Sequence, residues 1–237
     1  MTTLRATLHE RKDEFLIHFT LAQSMDKNLF EGDPVLIGET ILTVRHLLTI
    51  KSGLIIHLYN IVEAIMTRTI EEVGLAVREV PPTEWSNDTL KEWLRLYAAI
   101  GIEGNENSRL EVVHKAALKL LAKDSIRELK FKKPSGTWSD KVIHRFSQRM
   151  NVNFNLTSDI ARKIAPSAKY RDKTPLEFLA DRRNAIAHGR CTFEGGAVDL
   201  TLQDIRELAD VTVEYMEHAV DSFQNFLDDK KYMIAAI

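Results

Sequence analysis

Arg182, Arg183, Asn184, His188 and Arg190 are crowded into one short stretch of the chain. Together such side chains can hold a phosphate and move a proton: a guanidinium meets charge on phosphate oxygens, an amide fixes an orientation, and an imidazole exchanges protons near neutrality. The residues around them predict one helix from Pro175 to His188. Thr174 is its N-cap, Glu177 completes a capping box, Pro175 takes the first helical position, and Gly189 ends it in a left-handed conformation. At about 100° per residue, Leu176, Leu179, Ala180, Ile186 and Ala187 share a sector with Arg183 in its middle, and Asn184 and His188 lie at its edge. Desolvating a guanidinium without a partner costs on the order of several kcal/mol, so an anion is expected beside Arg183. Phe178 and Ala185 form a second apolar strip, which a second copy of the chain could cover.

The chain around this helix has 237 residues and a formal net charge of -2. That length can bury a large core as one domain. Cys191 is the single cysteine, so no internal disulfide is expected; with no signal-peptide pattern at the charged N-terminus, a reducing cytoplasm is the expected location. No stretch reads as apolar enough to cross a membrane, because the strongest candidate, Leu54 to Met66, carries His57, Asn60 and Glu63. The segment from Phe131 to Trp138 has lysine and glycine but lacks phosphate-loop spacing, which argues against nucleotide hydrolysis. No His, Cys or carboxylate cluster has ligand spacing, so neither a metal nor a cofactor is expected.

In chain order, residues 1 to 30 predict an amphipathic helix with Leu4, Leu8, Phe15, Phe19 and Ala22 at helical spacing, stopping at Glu31-Gly32-Asp33-Pro34. His9 and His18 read as ordinary helix residues. A long helix is predicted from Val35 to a C-cap at Gly74, with Leu54, Leu58, Ile61, Val62 and Ile65 on its apolar face. Ser52, Tyr59, Asn60, Glu63 and Thr67 gather on the other side, which is either a solvated or a functional surface. After Pro81-Pro82, helices are predicted over Thr89 to Ile100, Arg109 to Leu129, Trp138 to Met150 and Thr157 to Ile164, with a polar loop from Gly101 to Ser108 and a structural role for His114. Thr192 to Leu200 reads as a turn or short hairpin. Leu202 to Leu227 is the closing amphipathic helix, and the apolar tail to Ile237 is expected to pack on a neighbour.

Two stretches carry a family resemblance. Arg183-Asn184-Ala185-Ile186-Ala187-His188 resembles the R-x4-6-H motif of the HEPN superfamily of helical RNases, in the variant with a polar residue after the arginine. Arg11 to His18, Arg109 to His114 and Arg182 to His188 share the bare spacing, but only Arg183 combines the asparagine, the small residues and the terminal glycine. Lys51 to Ala64, with Leu58-Tyr59-Asn60 and Val62-Glu63-Ala64, resembles the first core helix of the MAE-type HEPN subfamily. The resemblance covers roughly residues 40–75 and 174–230.

It implies an all-α, HEPN-like bundle of about four core helices with a basic helical insertion. The expected divisions are 1–80 as N-terminal core helices, 81–173 as the insertion, and 174–237 as the motif and closing helices, all one domain. It further implies a metal-independent endoribonuclease with Arg183, His188 and Asn184 as catalytic residues and Glu63 and Asn60 supporting Arg183. The expected partners are an RNA substrate, a second copy completing a composite active site, and an antitoxin or defence-system protein. The alternative is a non-catalytic HEPN-like module that binds RNA or a nucleotide, or serves as an interaction subunit of such an operon.

Charge bears on the RNA. Fifteen lysines and arginines face five acids between Lys115 and Lys173, whereas Glu194 to Asp229 holds ten acids against Arg206. Lys130, Lys132, Lys133, Arg145 and Arg149 are therefore the expected RNA-binding residues, with Phe131, Trp138 and Phe146 available to stack on bases.

Overall fold

The computed structural model describes residues 3–32, 36–100, 105–122, 126, 129–134 and 136–234. Asp33 and Pro34 of the expected turn, the loop residues 101–104, Lys123 and Arg127 of the basic run, and the last three residues of the tail lie outside the described residues. The protein is all-α, with helices α1 (Thr3–Glu31), α2 (Val44–Arg78), α3 (Asn87–Ile100), α4 (Glu106–Leu121), α5 (Asp140–Arg149), α6 (Ser158–Lys163), α7 (Pro175–Ala187) and α8 (Leu202–Asp228). A two-stranded hairpin, β1 (Leu36–Ile37) with β2 (Thr40–Ile41), pairs Leu36 with Ile41.

Several boundaries differ from the sequence reading. The long helix starts at Val44, not Val35, because Gly38 turns the chain at a φ of 59° into the hairpin and Thr43 then opens the helix, its N–H donating to His46 Nδ1 at 3.0 Å. It also runs past Gly74 to Arg78. Gly74 is a helix-interior glycine, costing about 1 kcal/mol relative to alanine, at a point where a Cβ would lie 3.8 Å from Leu129 Cδ2 and 3.9 Å from Phe131. The α4 helix begins and ends early, capped by Asn105, whose side chain accepts from Ser108 N. Trp138 stays outside α5 because its N–H donates to Tyr59 Oη. Residues 194–197 form a short 3-10 turn and no hairpin. By length and composition α2 could cross a membrane, contrary to the sequence reading, but Leu54, Ile55, Leu58, Ile61, Val62, Ile65 and Met66 along it are buried protein core.

The chain forms two compact units. The first comprises Met1–Ile65, Thr137–Asp140 and Leu156–His218. Its long elements are α1, the first part of α2, α7 and most of α8. Arg206 lies over the Phe19 ring, Phe15 meets His57 edge-on, and Gly196 approaches α7 and α2 so closely that a Cβ would come within 2.6 Å of Ile186 and 2.7 Å of Ser52. Ser52 and Tyr59 are buried whereas Asn60 is exposed, so the polar side of α2 is only partly solvated. Phe178 is covered by Tyr170 and by the Arg182 guanidinium, 4.9 Å from its ring. The Phe178 part of the second apolar strip of α7 is thus closed within the chain, while Ala185 stays half-buried.

The second unit comprises Met66–Gly136, Lys141–Asn155 and Ala219–Ile237. Trp85, Trp93, Phe146 and Phe223 dominate its core, with Phe146 stacked on Phe223 at 5.7 Å. The tail is pinned to this unit's own chain: Ser86 N donates to Tyr232 O, and Ile234 N to Glu84 O. The Ile234 side chain itself stays 58 % exposed. Glu92, 1 % exposed, accepts from Arg149 at 2.9 Å and Arg95 at 2.7 Å. Removing one cation from a buried carboxylate leaves charge uncompensated. Arg149→Ala should therefore lower stability by about 3 kcal/mol, read as a fall in the denaturant midpoint. An unchanged midpoint would show that Arg95 alone satisfies Glu92.

Candidate active site

Within the first unit, α7 is built as its ends require. Thr174 Oγ1 accepts from Glu177 N at 3.1 Å, the Glu177 carboxylate accepts from Thr174 N at 3.4 Å, and Gly189 adopts a φ of 66°. Leu176, Leu179, Ala180 and Ile186 are buried, but Ala187 is exposed, because the last turn leaves the core. Arg183 emerges at the boundary, its side chain 28 % exposed.

Three groups hold the Arg183 guanidinium. Nη2 donates to Glu63 Oε2 at 3.2 Å, Nη1 donates to Asn184 Oδ1 at 3.1 Å, and the guanidinium carbon lies 4.8 Å from the centre of the Tyr59 ring. Asn184 is oriented in turn, its Nδ2 donating to Thr137 Oγ1 at 2.9 Å. Tyr59 accepts the Trp138 N–H at 3.0 Å, and burial pushes its phenol above the usual range despite that hydrogen bond. Tyr59 and Glu63 are four residues apart on one face of α2, so one helix supplies both the aromatic face and the carboxylate. His188 caps the helix through its backbone and is exposed, and among the described residues its ring has no hydrogen-bond partner.

The neighbouring arginine is committed elsewhere. Arg182 pairs with Asp199 and donates to Gly196 O at 3.2 Å. Burial pushes the Asp199 carboxyl up, but Arg182, with help from Arg171, more than reverses this and holds it below the usual range. The pair locks the 3-10 turn to α7 and leaves Arg183 as the arginine with an open side.

The other expected site residues fall in different places. Asn60 does not join Glu63 at Arg183. It is exposed and lines a groove with Arg11, Glu14, His18 and His57, because three residues turn the helix about 60° short of a full revolution. There His18 and His57 approach Nδ1 to Nδ1 at 3.2 Å, and burial followed by His18 lowers the His57 pKa. Lys130, Lys132 and Arg145 are exposed in the second unit, as is Lys133, whereas Arg149 is engaged with Glu92 and lies 5.6 Å from the Phe146 ring. Arg149 is structural. Trp138 and Phe146 are buried at 2 % and 0 % exposure and cannot stack on bases, and Phe131, at 7 %, keeps only a sliver of surface. Much of the basic run is also answered by acids: Lys163 by Glu214, Lys169 by Glu207, Arg171 by Asp199 and Lys173 by Asp181.

Tyr59 and Thr137 are the members that sequence reasoning missed as site residues. The Tyr59–Glu63 spacing was a usable signal, whereas nothing local connects Thr137 to Asn184. Among the described residues no three His, Cys, Asp or Glu side chains converge as a metal site.

A family model described as MAE_28990-like HEPN matches residues 1–232. No curated protein and no solved structure matches the chain.

Proposed function

The chain belongs to the MAE_28990-like HEPN family, and from that membership and the setting of Arg183 we propose that it is a metal-independent endoribonuclease acting as a toxin or defence effector. The observation that carries this reading is the guanidinium fixed by Glu63, Asn184 and Tyr59 with a quarter of its side chain still open. A cation held in place before substrate arrives stabilises charge that develops on phosphorus without reorganising.

In the proposed reaction the RNA 2'-oxygen attacks the adjacent phosphorus and the bond from phosphorus to the 5'-oxygen breaks. One imidazole takes the 2'-hydroxyl proton and another group returns a proton to the leaving 5'-oxygen. Arg183 balances the charge of the pentacoordinate phosphate, and Asn184 orients Arg183 from its own hydrogen bond to Thr137.

A homodimer suits this chemistry. Five residues along a helix advance about 7.5 Å and turn about 140°, so His188 does not share a face with Arg183 of the same chain. A two-fold partner supplies the second imidazole and lets each His188 face the other chain's Arg183. The exposed end of α7, with Ala187, His188 and Arg190, is the surface available for that approach. An antitoxin or another defence protein is the proposed regulator.

The test is incubation of the purified protein with single-stranded RNA in excess EDTA. Cleavage is expected to persist and to leave a 2',3'-cyclic phosphate and a 5'-hydroxyl. RNA that is bound and never cut would move the protein to the binding-module reading.

A further inference from the structure

In the second unit a groove of about 470 Å³ runs along α2, lined by Ile70, Gly74 and Leu75 on the helix and by Leu129 and Phe131 on the segment that crosses it. That volume is within the range of small-ligand sites. The crossing segment packs beside Gly74, with Leu129 and Phe131 at van der Waals distance from the point a Cβ there would occupy. Leu75 is 42 % exposed, a large apolar side chain left at the surface of a helix.

The cations stand on both walls. Arg78 lies on the helix side, Lys130 and Lys133 on the segment side, and exposed Lys132 sits between the two lysines in sequence. Arg68 also lines the groove, but Glu71 and Glu72 hold it, whereas among the described residues Arg78 pairs with the exposed Glu79 alone, at 3.4 Å. An apolar floor between cationic walls matches the repeat of a nucleic-acid strand, in which each base is flanked by two phosphates. A paired base cannot turn its face into such a groove, whereas an unpaired one can.

We infer that this groove seats an unpaired nucleotide of the RNA, its base against the exposed Leu75 and the half-buried Leu129 and its flanking phosphates against Arg78 and Lys130. The inference rests on the reading of the chain as a protein that acts on RNA. It adds that the substrate is single-stranded where it meets the second unit.

The experiment uses the whole wild-type chain and a 2'-O-methyl RNA twelve nucleotides long, which binds without being cut, with binding followed by fluorescence anisotropy over a range of salt. Leu75→Ser should weaken single-strand binding about tenfold and leave the salt slope and duplex binding unchanged, because it removes an apolar contact and no charge. Lys130→Ala should weaken binding and reduce the salt slope by about one. Both positions are exposed, and unchanged melting temperatures will show that the variants fold. Wild-type affinity in Leu75→Ser, or an equal loss for duplex and single strand, overturns the inference; the groove then passes to an acidic apolar peptide and the RNA reading stands. A wild-type chain that binds no RNA at all overturns both.

Discussion

Arg183→Ala is expected to lower RNA cleavage at least a hundredfold and His188→Ala by a similar or larger factor, with both proteins still folded. The first figure follows from losing one preorganised donor at a developing oxyanion, typically 10² to 10³ in order of magnitude, and the second from losing a general acid or base, about 10² to 10⁴. The structure separates these effects from simple unfolding. His188 is exposed and its ring holds nothing else in place, so its loss should leave the melting temperature where it was.

Glu63→Gln is the informative contrast to Arg183→Ala. The pair is partly exposed on both sides, 28 % and 35 %, so it should contribute no more than about 1 kcal/mol to stability, and the amide retains an acceptor for Arg183. A fall in rate of tenfold or less is expected, set beside near-complete loss in Arg183→Ala. If the two variants lose activity equally, Glu63 takes part in proton transfer. Mixing wild-type chains with an excess of His188→Ala chains also tests the composite site: mixed dimers that lose cleavage support it, and mixed dimers that keep half of the wild-type rate oppose it.

The second large effect lies in the substrate. A single 2'-deoxy nucleotide before the scissile bond should abolish cleavage there and leave binding nearly unchanged, because it removes the nucleophile and little else. Analysis of products from an otherwise identical strand gives the answer directly. Cleavage at the deoxy position would require an external water as nucleophile, and the roles given to Arg183 and His188 would have to be redrawn.

Much of this architecture was legible because local chemistry announces it. Thr174, Pro175, Glu177 and Gly189 set the ends of α7 within a few residues of one another, and Leu4, Leu8, Phe15 and Phe19 set the inner face of α1. What could not be read depended on partners distant in sequence. Phe178 looks like an exposed strip until Tyr170 and Arg182 close over it, and Phe131, Trp138 and Phe146 look like stacking platforms until the cores that enclose them are known. Periodicity assigns a residue to a helix face, but it cannot say what covers that face. Asn60 shows the same limit at finer scale: it is three positions from Glu63, yet it faces α1 and not the arginine.

The separation between Glu63 and Arg183 also matters while the chain is being made. The two residues are 120 positions apart, and translation at about 5–20 residues per second places roughly 6 to 24 s between their appearances. During that interval the nascent chain carries α2 with its carboxylate and its tyrosine but no guanidinium between them. On the proposed reading, the ribosome, itself built of RNA, meets no assembled guanidinium site until Arg183 has been added to the chain.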